Sequence, residues 1–468
     1  MGHKDRYPVA MHNLRVCLLA QLFCLQYAVT FAQNWSAAGL PGVPINIRQV
    51  VADPEGETIY YAGAIRLFGN DFAPTNPVMR YAGGQWDTLG VLRGQIHTMV
   101  VFRDTLFAGG SFTEASGVPC EGIAYYDGSV WQPYGDLQQA VRRLRVINNE
   151  LYAVGGFHTA DGIIASGVAK RVGGSWVPLG LFDLGGSILD IAQYDGKLTV
   201  IGNVDFENGR GIAEWDGAEW SLLGPGIVNG LSGALCLTNY QGQLYIAGQI
   251  ALAPGNPGQN IIRWDGQEFH GLGDGVQWQL GNTTGIATVT TLVEHDGLLF
   301  VGGGYRAAGG ILANGLSTWD GSEWCAVSGD FRASGGIWGM DFYHDTLFVT
   351  CGTVLDGDTV NSAAKFIGDE YQEECSGPVA VVESSPVPPP VFLFPNPTES
   401  NAVISLEFIG KAYLHVYDVQ GKAVHRRQLT GIGLTRILLD TADWPSGTYM
   451  VLIDMPLQRW SQRLVIQR

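Results

Sequence analysis

The chain has 468 residues, of which 46% are hydrophobic, 15% are charged and 65 are glycine, about twice the usual share of glycine. This composition excludes a disordered chain and favours strands joined by turns over long surface helices. The formal net charge of −17 disfavours non-specific binding to nucleic acid or to anionic lipid.

Residues 1–32 have the layout of an export signal peptide. Arg15 precedes the mostly apolar segment VCLLAQLFCLQYAV, and TFA at 30–32 supplies the small residues expected before a cleavage site. The apolar segment is too short to span a membrane, and no other segment is long enough for a transmembrane helix. Either Met1 or Met11 can be the start. Cys17 and Cys24 follow large residues, which argues against a lipoprotein anchor.

A recurring phrase organises residues 33–377. It reads YDGSVW at 126–131, WDGAEW at 215–220, WDGQEF at 264–269 and WDGSEW at 319–324, with looser copies YAGGQW, RVGGSW and FIGDEY. Each copy follows a string such as LYAVGGF (151–157) and a loop rich in Gly and Ala. The phrase ends on an aromatic residue that recurs every 44 to 55 residues: Trp86, Trp131, Trp176, Trp220, Phe269, Trp324 and Tyr371.

Each unit holds four short strand candidates, and Asp-Gly between the third and the fourth predicts a two-residue type I′ hairpin turn with positive φ at both residues. The flanking aromatic residues should face each other across that hairpin. Four strands in seven units predict an all-β fold with a seven-bladed β-propeller at 33–377. We interpret the recurring residues as parts of that framework: Asp127, Gly128, Trp131, Trp176, Asp216, Gly217, Trp220, Asp265, Gly266, Asp320, Gly321 and Trp324.

Two segments compete to complete the ring, because the sequence around Trp35 and that around Tyr371 both resemble an outer strand. The sequence leaves this choice open.

The string L-Y-hydrophobic-x-Gly-Gly, followed by an aromatic-Asp pair and a Trp, resembles the kelch-type propeller repeat. The turn before the Trp is shorter than in most kelch units, and the Gly pair becomes GN, GQ or CG in three units. The phrase is also similar to the Asp-box of sialidases. The spacing from Asp320 to Trp324 is one residue short of that motif, so no sialidase function is carried over.

The chain after the signal contains five cysteines, Cys120, Cys236, Cys325, Cys351 and Cys375, so at least one of them has no partner within the chain. Their spacing does not match a zinc site. Three of them lie in the last repeat, where we expect a disulfide bond. The alternative is that they are buried as small hydrophobic residues.

A Pro-rich linker at 378–391 leads to residues 392–468, whose alternating apolar residues predict a small β-sandwich. This segment resembles the type A C-terminal sorting domain of the Bacteroidetes type IX (Por) secretion system. The resemblance implies that the type IX machinery is a partner, that the tail is later removed, and that the protein is secreted or remains at the outer cell surface. The matching residues are Phe394, Pro395, Asn396, Pro397, Thr398, Tyr417, Asp418, Gly421, Lys422, Pro445, Gly447 and Tyr449.

The sequence shows no catalytic motif, so we expect no enzymatic, cofactor or metal site. Asp356 and Asp358 lack the further oxygen ligands of a calcium loop. Five histidines are scattered over different units without metal-ligand spacing: His97, His158, His270, His295 and His344.

The loops that join the second and third strands vary most between units and should crowd one face of the propeller. We therefore expect a secreted or cell-surface binding module for a glycan or protein, acting through these loops or the central channel. An extracellular polysaccharide-acting enzyme and a structural surface-layer component stay open as alternatives. Converging carboxylates or a Tyr/His cluster at the channel mouth would favour the enzyme.

Overall fold

The computed structural model describes residues 34–467 apart from 41–42, 54, 56, 67–76, 182–183, 207–208, 228–232, 251–257, 279–285, 332–335, 353, 356–357, 377–391, 395–397, 399, 421 and 456–457. The predicted signal peptide and linker therefore lie outside the described residues, as do Asp356, Pro395, Asn396, Pro397 and Gly421. The chain divides into two compact units on either side of Ala380.

The fold is all-β, which confirms the predicted class. The described elements are strands joined by turns and loops, without a helix. Accordingly, no helix capable of spanning a membrane occurs in the described part of the chain.

In the first unit, successive sets of antiparallel strands follow one another. We call the first strand of each set its inner strand, because these first strands lie beside one another. We number these sets as sheets 1 to 7. Sheet 1 is Val43–Ala52, Thr58–Arg66, Pro77–Ala82 and the start of Gln85–Phe102; sheet 2 is the rest of Gln85–Phe102, Thr105–Ala115, Ile123–Tyr126 and Trp131–Pro133; sheet 3 is Val141–Ile147, Glu150–Gly155, Val168–Val172 and Ser175–Pro178; sheet 4 is Leu184–Tyr194, Lys197–Phe206, Gly209–Trp215 and Trp220–Leu222. Sheet 5 is Gly233–Tyr240, Gln243–Gln249, Ile261–Trp264 and Phe269–Gly271; sheet 6 is Thr288–His295, Leu298–Gly304, Leu316–Trp319, Trp324–Val327 and Gln372–Cys375; sheet 7 is Gly339–Tyr343, Thr346–Thr350, Ala363–Phe366 and Trp35–Ala37.

Short hairpins decorate the connections between second and third strands. They are formed by Thr159–Ala160 with Ile163–Ile164, Ala307–Ala308 with Ile311–Leu312, and Val354–Leu355 with Asp358–Thr359. Val118–Pro119 pairs with the end of the second strand of sheet 2, and Val276–Gln277 pairs with Ala307–Ala308.

The structure resolves the choice between the two outer-strand candidates. Trp35 pairs with Phe366, so the first described strand forms the outer edge of sheet 7. The strand after Tyr371 instead adds a fifth strand to sheet 6, where Cys325 pairs with Cys375 and forms a disulfide bond with it. This bond confirms the expected disulfide in the last repeat.

The hydrophobic core lies between neighbouring sheets. Phe107 of sheet 2 packs with Leu144 and Trp176 of sheet 3, and the same kind of cluster recurs between the other pairs. Ile47 of sheet 1 packs with Phe348 of sheet 7 in one of these clusters. The inner strands are neighbours in chain order, and that of sheet 1 lies beside that of sheet 7.

In the second unit, the five strands are hydrogen-bonded into one continuous sheet, and the β-sandwich stays a prediction. Asn401–Tyr417 pairs with Ala423–Asp440 on one edge, and with Phe392–Phe394 and Gly447–Met455 on the other; Gln458–Ile466 pairs with Gly447–Met455. Because the two long strands stay paired along their whole length, the sheet is never interrupted. Its core includes Ile404, Leu414, Ile437 and Val451.

Candidate functional site

The Asp-Gly turns adopt a geometry different from the predicted type I′ turn. Asp216 is absent from the residues with positive φ, whereas Gly217 has a φ of 106°. The carboxylate oxygen of Asp216 accepts the backbone N–H groups of Ala218 and Glu219, both at 2.8 Å. A side-chain oxygen thus takes the place of a backbone carbonyl, which gives a four-residue loop with only Gly in the left-handed region.

The same contacts occur in the other Asp-Gly copies. Asp127, Asp265 and Asp320 each accept the N–H groups two and three residues further on. In the exposed turns, the hydrogen bonds from Glu219 and Ala218 lower the pKa of Asp216, and those from Glu268 and Gln267 lower that of Asp265. One carboxylate oxygen of each of these aspartates is therefore engaged by its own turn.

The aromatic residues that flank each turn face each other, as predicted. The register pairs Tyr126 with Trp131 and Trp215 with Trp220, and the Trp319–Trp324 ring centroids are 5.2 Å apart. The closing Trp also links neighbouring sheets through its indole N–H. The acceptors are backbone carbonyls of the preceding sheet or of the residues just after it, at 2.6 to 2.9 Å: Trp176 to Tyr134, Trp220 to Leu179, Trp324 to Leu272 and Trp35 to Ser328.

The residues that could contact a ligand lie at the opposite side of each sheet, on the inner strand. Near its start, the inner strand bulges by one residue relative to the second strand. These positions form what we call the mouth ring: Arg48, His97, Arg142, Leu189, Leu235 and Thr290 in sheets 1 to 6, and Trp338, which directly precedes the inner strand of sheet 7.

The Gly-Gly pair at the end of the second strand makes room for this bulge. A Cβ on Gly110 would lie 2.0 Å from the carbonyl oxygen of Gln95, two residues before His97. On Gly155, it would lie 2.1 Å from the carbonyl oxygen of Ala140, two residues before Arg142. The recurring glycine is therefore required where the inner strand bulges, and bulges commonly redirect side chains towards sites.

A cavity of about 260 Å³ opens within the mouth ring, and all ring members except Thr290 line it, together with Gln49, Ile96 and Arg143. The Thr290 hydroxyl instead donates to the backbone carbonyl of Ile337. Arg48 lies over the Trp338 indole, with its guanidinium carbon 4.9 Å from the ring centroid. Among the described residues, none that lines this cavity is acidic.

Of the five scattered histidines noted in the sequence, His97 is the one that lines this cavity. Its Nε2 lies 2.7 Å from the Ser111 hydroxyl, directly after the Gly-Gly pair of sheet 2. Burial, and then the positive charges of Arg142 and Arg48, lower the pKa of His97 to about 4. The imidazole is therefore neutral at physiological pH, and the arginines supply the positive charge of the mouth.

The other histidines lie elsewhere. His158 is exposed after the second strand of sheet 3, and His270 forms a 2.7 Å contact with Asp265 on an outer strand. His295 stacks on Phe342 at the far end of the inner strands, and His344 occupies a turn with a φ of 47°.

A buried ion network lies beside the mouth ring, between the inner strands of sheets 3 and 4. Asp190 is fully buried and accepts two hydrogen bonds from Arg145, from Nε at 2.9 Å and from Nη2 at 2.7 Å. Arg143 approaches the same carboxylate at 3.5 Å. Burial raises the pKa of Asp190, but the charges of Arg145 and Arg143 outweigh that effect and hold the pKa below its usual value.

A second cavity of about 510 Å³ continues into the channel and shares Gln49, Arg143 and Trp338 with the first. Asp341 lines it and accepts the backbone N–H groups of Ala52, at 2.8 Å, and Phe342, at 2.9 Å. Burial raises the pKa of Asp341. This carboxyl group connects the inner strands of sheets 1 and 7.

The unpaired cysteines offer no reactive thiol. Burial raises the pKa of Cys120 to about 11 and the pKa values of Cys236 and Cys351 to about 12. Among the described residues, one group has metal-ligand geometry, Glu323 with Cys325 and Cys375, and its two sulfur atoms are joined in the disulfide.

The described motif residues of the tail stabilise its turns and its edge. Asp418 accepts the N–H groups of Gln420 and Lys422, and the Tyr449 hydroxyl donates to the carbonyl of Pro445 at 2.8 Å. The backbone of Thr398 bonds to Val465 and Gln467 beside the last strand.

Sequence reasoning missed most of the mouth. Arg48, Arg142 and Trp338 belong to no motif and look like ordinary residues before a strand. A positional signal was present: in sheets 2 to 7 the ring residue lies nine residues before the first Leu of the recurring string, as Arg142 does before Leu151.

Comparison with known proteins identifies the tail. Residues 392–467 match the family model described as the secretion system C-terminal sorting domain. The chain is therefore exported through type IX secretion, to the cell surface or into the medium, and the tail interacts with that machinery. No curated protein matches the chain.

Three solved structures show weak similarity to the chain. Pyrococcus horikoshii acylaminoacyl peptidase is 12% identical with a TM-score of 0.41, covering 77% of this chain and 58% of that one. Trypanosoma rangeli sialidase in complex with sialic acid is 13% identical with a TM-score of 0.31, and the match covers 92% of this chain and 88% of the sialidase. Phanerochaete chrysosporium exo-beta-1,3-galactanase is 9% identical with a TM-score of 0.29, and the match covers 92% of this chain and 99% of the galactanase. This chain thus spans little more than half of the peptidase.

Proposed function

We propose that sheets 1 to 7 are the blades of a kelch-like, seven-bladed β-propeller that follows a cleaved signal peptide. Three observations support this arrangement: the chain order of the inner strands, the packing of Ile47 on Phe348, and the pairing of Trp35 with Phe366. The indole N–H bonds between successive sheets add a repeated link.

We further propose that the exported protein is a binding module whose glycan or protein ligand occupies the channel mouth. The observation that carries this function is the mouth ring. A bulge of the inner strand presents a side chain at the same place in sheets 1 to 6, and Trp338 takes that place in sheet 7. These side chains differ, and all of them except Thr290 line one cavity. A framework that repeats its geometry while varying its exposed side chains is the usual arrangement of a recognition site.

The alternative of a polysaccharide-acting enzyme receives less support. Such an enzyme requires carboxyl groups that can reach a substrate. Among the described residues, Asp190 is enclosed by two arginines and Asp341 is engaged by two backbone N–H groups. That leaves Glu294 as the single exposed carboxylate that lines the larger cavity in the described part of the chain, whereas the two-carboxylate mechanism requires a pair. His97 lies in the mouth without a carboxylate beside it.

The test is a glycan and protein array probed with the mature protein purified after export. The mouth variant is Arg142→Ala/Trp338→Ala. The matched control is Arg103→Ala/Ile367→Ala, which removes an arginine and an exposed apolar residue far from the mouth.

We expect the wild type and the control to bind the same ligand and the mouth variant to lose it. Retention of that ligand by the mouth variant would overturn the placement of the site. Wild-type protein that binds nothing but releases sugars from polysaccharides would support the enzyme instead.

A further inference from the structure

The mouth is positively charged within a chain whose net charge is −17. In the described part of the chain, the 260 Å³ cavity is lined by three arginines, Arg48, Arg142 and Arg143, and by no carboxylate. The buried carboxylate of Asp190 is engaged by Arg145 and lies 3.5 Å from Arg143. Within the described residues, Arg142 forms no ion pair. Its charge is therefore available to a ligand.

The cavity is also amphipathic. The arginines occupy one arc, from sheets 1 and 3, while Leu189 and Leu235 of sheets 4 and 5 occupy another. Trp338 closes the ring next to Arg48 and is 37% exposed. A ligand that fills this space needs an anionic group on one edge and an apolar face on the other.

The size of the cavity limits what can enter. At about 260 Å³ it lies below the roughly 300–1,000 Å³ of most small-molecule sites, so it accommodates a single ring with one substituent. The deeper cavity is lined by Asp341 and Glu294 as well as by Arg143 and Arg145, so its lining is less positive than that of the mouth.

We infer that the mouth binds an acidic sugar, namely a glycan residue that carries a carboxylate or a sulfate. This inference rests on the proposed binding at the mouth and specifies its ligand class. Arg142 contacts the anionic group, because a guanidinium matches the geometry of two acceptor oxygens. The C–H face of the sugar ring packs on Trp338 and the two leucines. An Asp or Glu side chain of a peptide supplies the anion but not the ring, so we favour the glycan.

The experiment is a calorimetric titration of the exported wild-type protein at low and at high salt with four probes. The probes are an oligogalacturonate, a sulfated galactose oligomer, a neutral galactose oligomer and a polyglutamate peptide. The variants are Arg142→Gln, Arg142→Lys and the control Arg103→Gln, whose arginine lies at the other end of the inner strand of sheet 2. Circular dichroism confirms that each variant is folded.

We expect one or both acidic oligosaccharides to bind, with an affinity that falls as salt rises. Arg142→Gln should weaken binding by about ten- to a hundredfold, the range for one charge-assisted hydrogen bond. Arg142→Lys keeps the salt dependence and recovers part of the affinity, and Arg103→Gln changes nothing. The carboxylate and sulfate probes distinguish the two anionic groups.

Four results would overturn the inference. Equal binding of the neutral oligomer removes the requirement for an anion, while the proposed binding function survives. Preferential binding of polyglutamate assigns the mouth to acidic proteins. Tight acidic-glycan binding that Arg142→Gln leaves intact, or the absence of glycan binding while the array still reports another ligand lost in the mouth variant, shows that this ligand class is wrong.

Discussion

The Asp-Gly turns, present in four of the sheets, and the mouth ring, to which all seven sheets contribute, differ in what they preserve. At the turns, the same residue types make the same bonds: Asp accepts two backbone N–H groups, Gly takes the positive φ, and an aromatic pair flanks them. At the mouth, only the backbone geometry recurs, namely a bulge that packs against a glycine. The side chains there differ in chemical type: Arg142 is charged and Leu189 is apolar. Recurrence in sequence therefore marks the framework, while the site lies at a fixed offset from it.

The largest effect on stability is expected from the disulfide bond, which joins two strands of sheet 6 and has no counterpart in the other described sheets. We expect Cys325→Ser/Cys375→Ser to lower the free energy of unfolding by about 4 kcal/mol, since the bond closes a 50-residue separation in the unfolded chain. Urea unfolding of the exported protein measures the loss. Wild type under reducing conditions is the control and should match the variant, and an unchanged midpoint would contradict the prediction.

The next largest effect is expected from the ion network between the inner strands of sheets 3 and 4. Asp190→Asn keeps an oxygen for the backbone N–H groups but removes the charge that Arg145 and Arg143 require. We expect a loss of about 3 kcal/mol in unfolding free energy, at the lower end for a broken buried pair because Arg145 is partly exposed to the channel. Asp369→Asn, at an exposed turn, is the matched control for urea unfolding. Equal midpoints in the two variants would rule out the network as a source of stability.

A smaller effect is expected at the turns. Asp320→Ala removes the acceptor for Ser322 and Glu323 and should cost about 1 kcal/mol, since the turn is partly exposed. Asp320→Asn keeps an acceptor oxygen and should stay close to wild type in the same unfolding measurement. If both variants lose equally, charge rather than hydrogen bonding stabilises the turn.

The smallest effect on stability is expected at His97, whose lowered pKa can be measured directly. We expect NMR titration to place the pKa of His97 near 4, as burial and the two neighbouring arginines dictate. Arg142→Gln should raise this pKa, because removal of a positive neighbour favours the imidazolium form. Arg103→Gln should leave it unchanged. The contribution of neutral His97 to stability is present above its unfolded pKa of about 6.5 and is lost as the pH falls towards 4.

Much of the framework could be predicted from sequence because it depends on local chemistry. The aromatic partners Trp215 and Trp220 follow from hairpin spacing, and the tail follows from its motif order. The type I′ prediction at Asp216 was wrong because its side chain competes for the N–H groups of its own turn. Arg48 and Arg142 could not be assigned, since their meeting depends on the arrangement of separate sheets.

The strand at Trp35 has a consequence for the order of folding. It completes sheet 7, and its indole bonds to Ser328, 293 residues away in sequence. Contacts of such separation form late, since the intervening chain must first be ordered. Sheet 7 therefore keeps an unpaired edge until the first described strand docks, and unpaired edges recruit other chains.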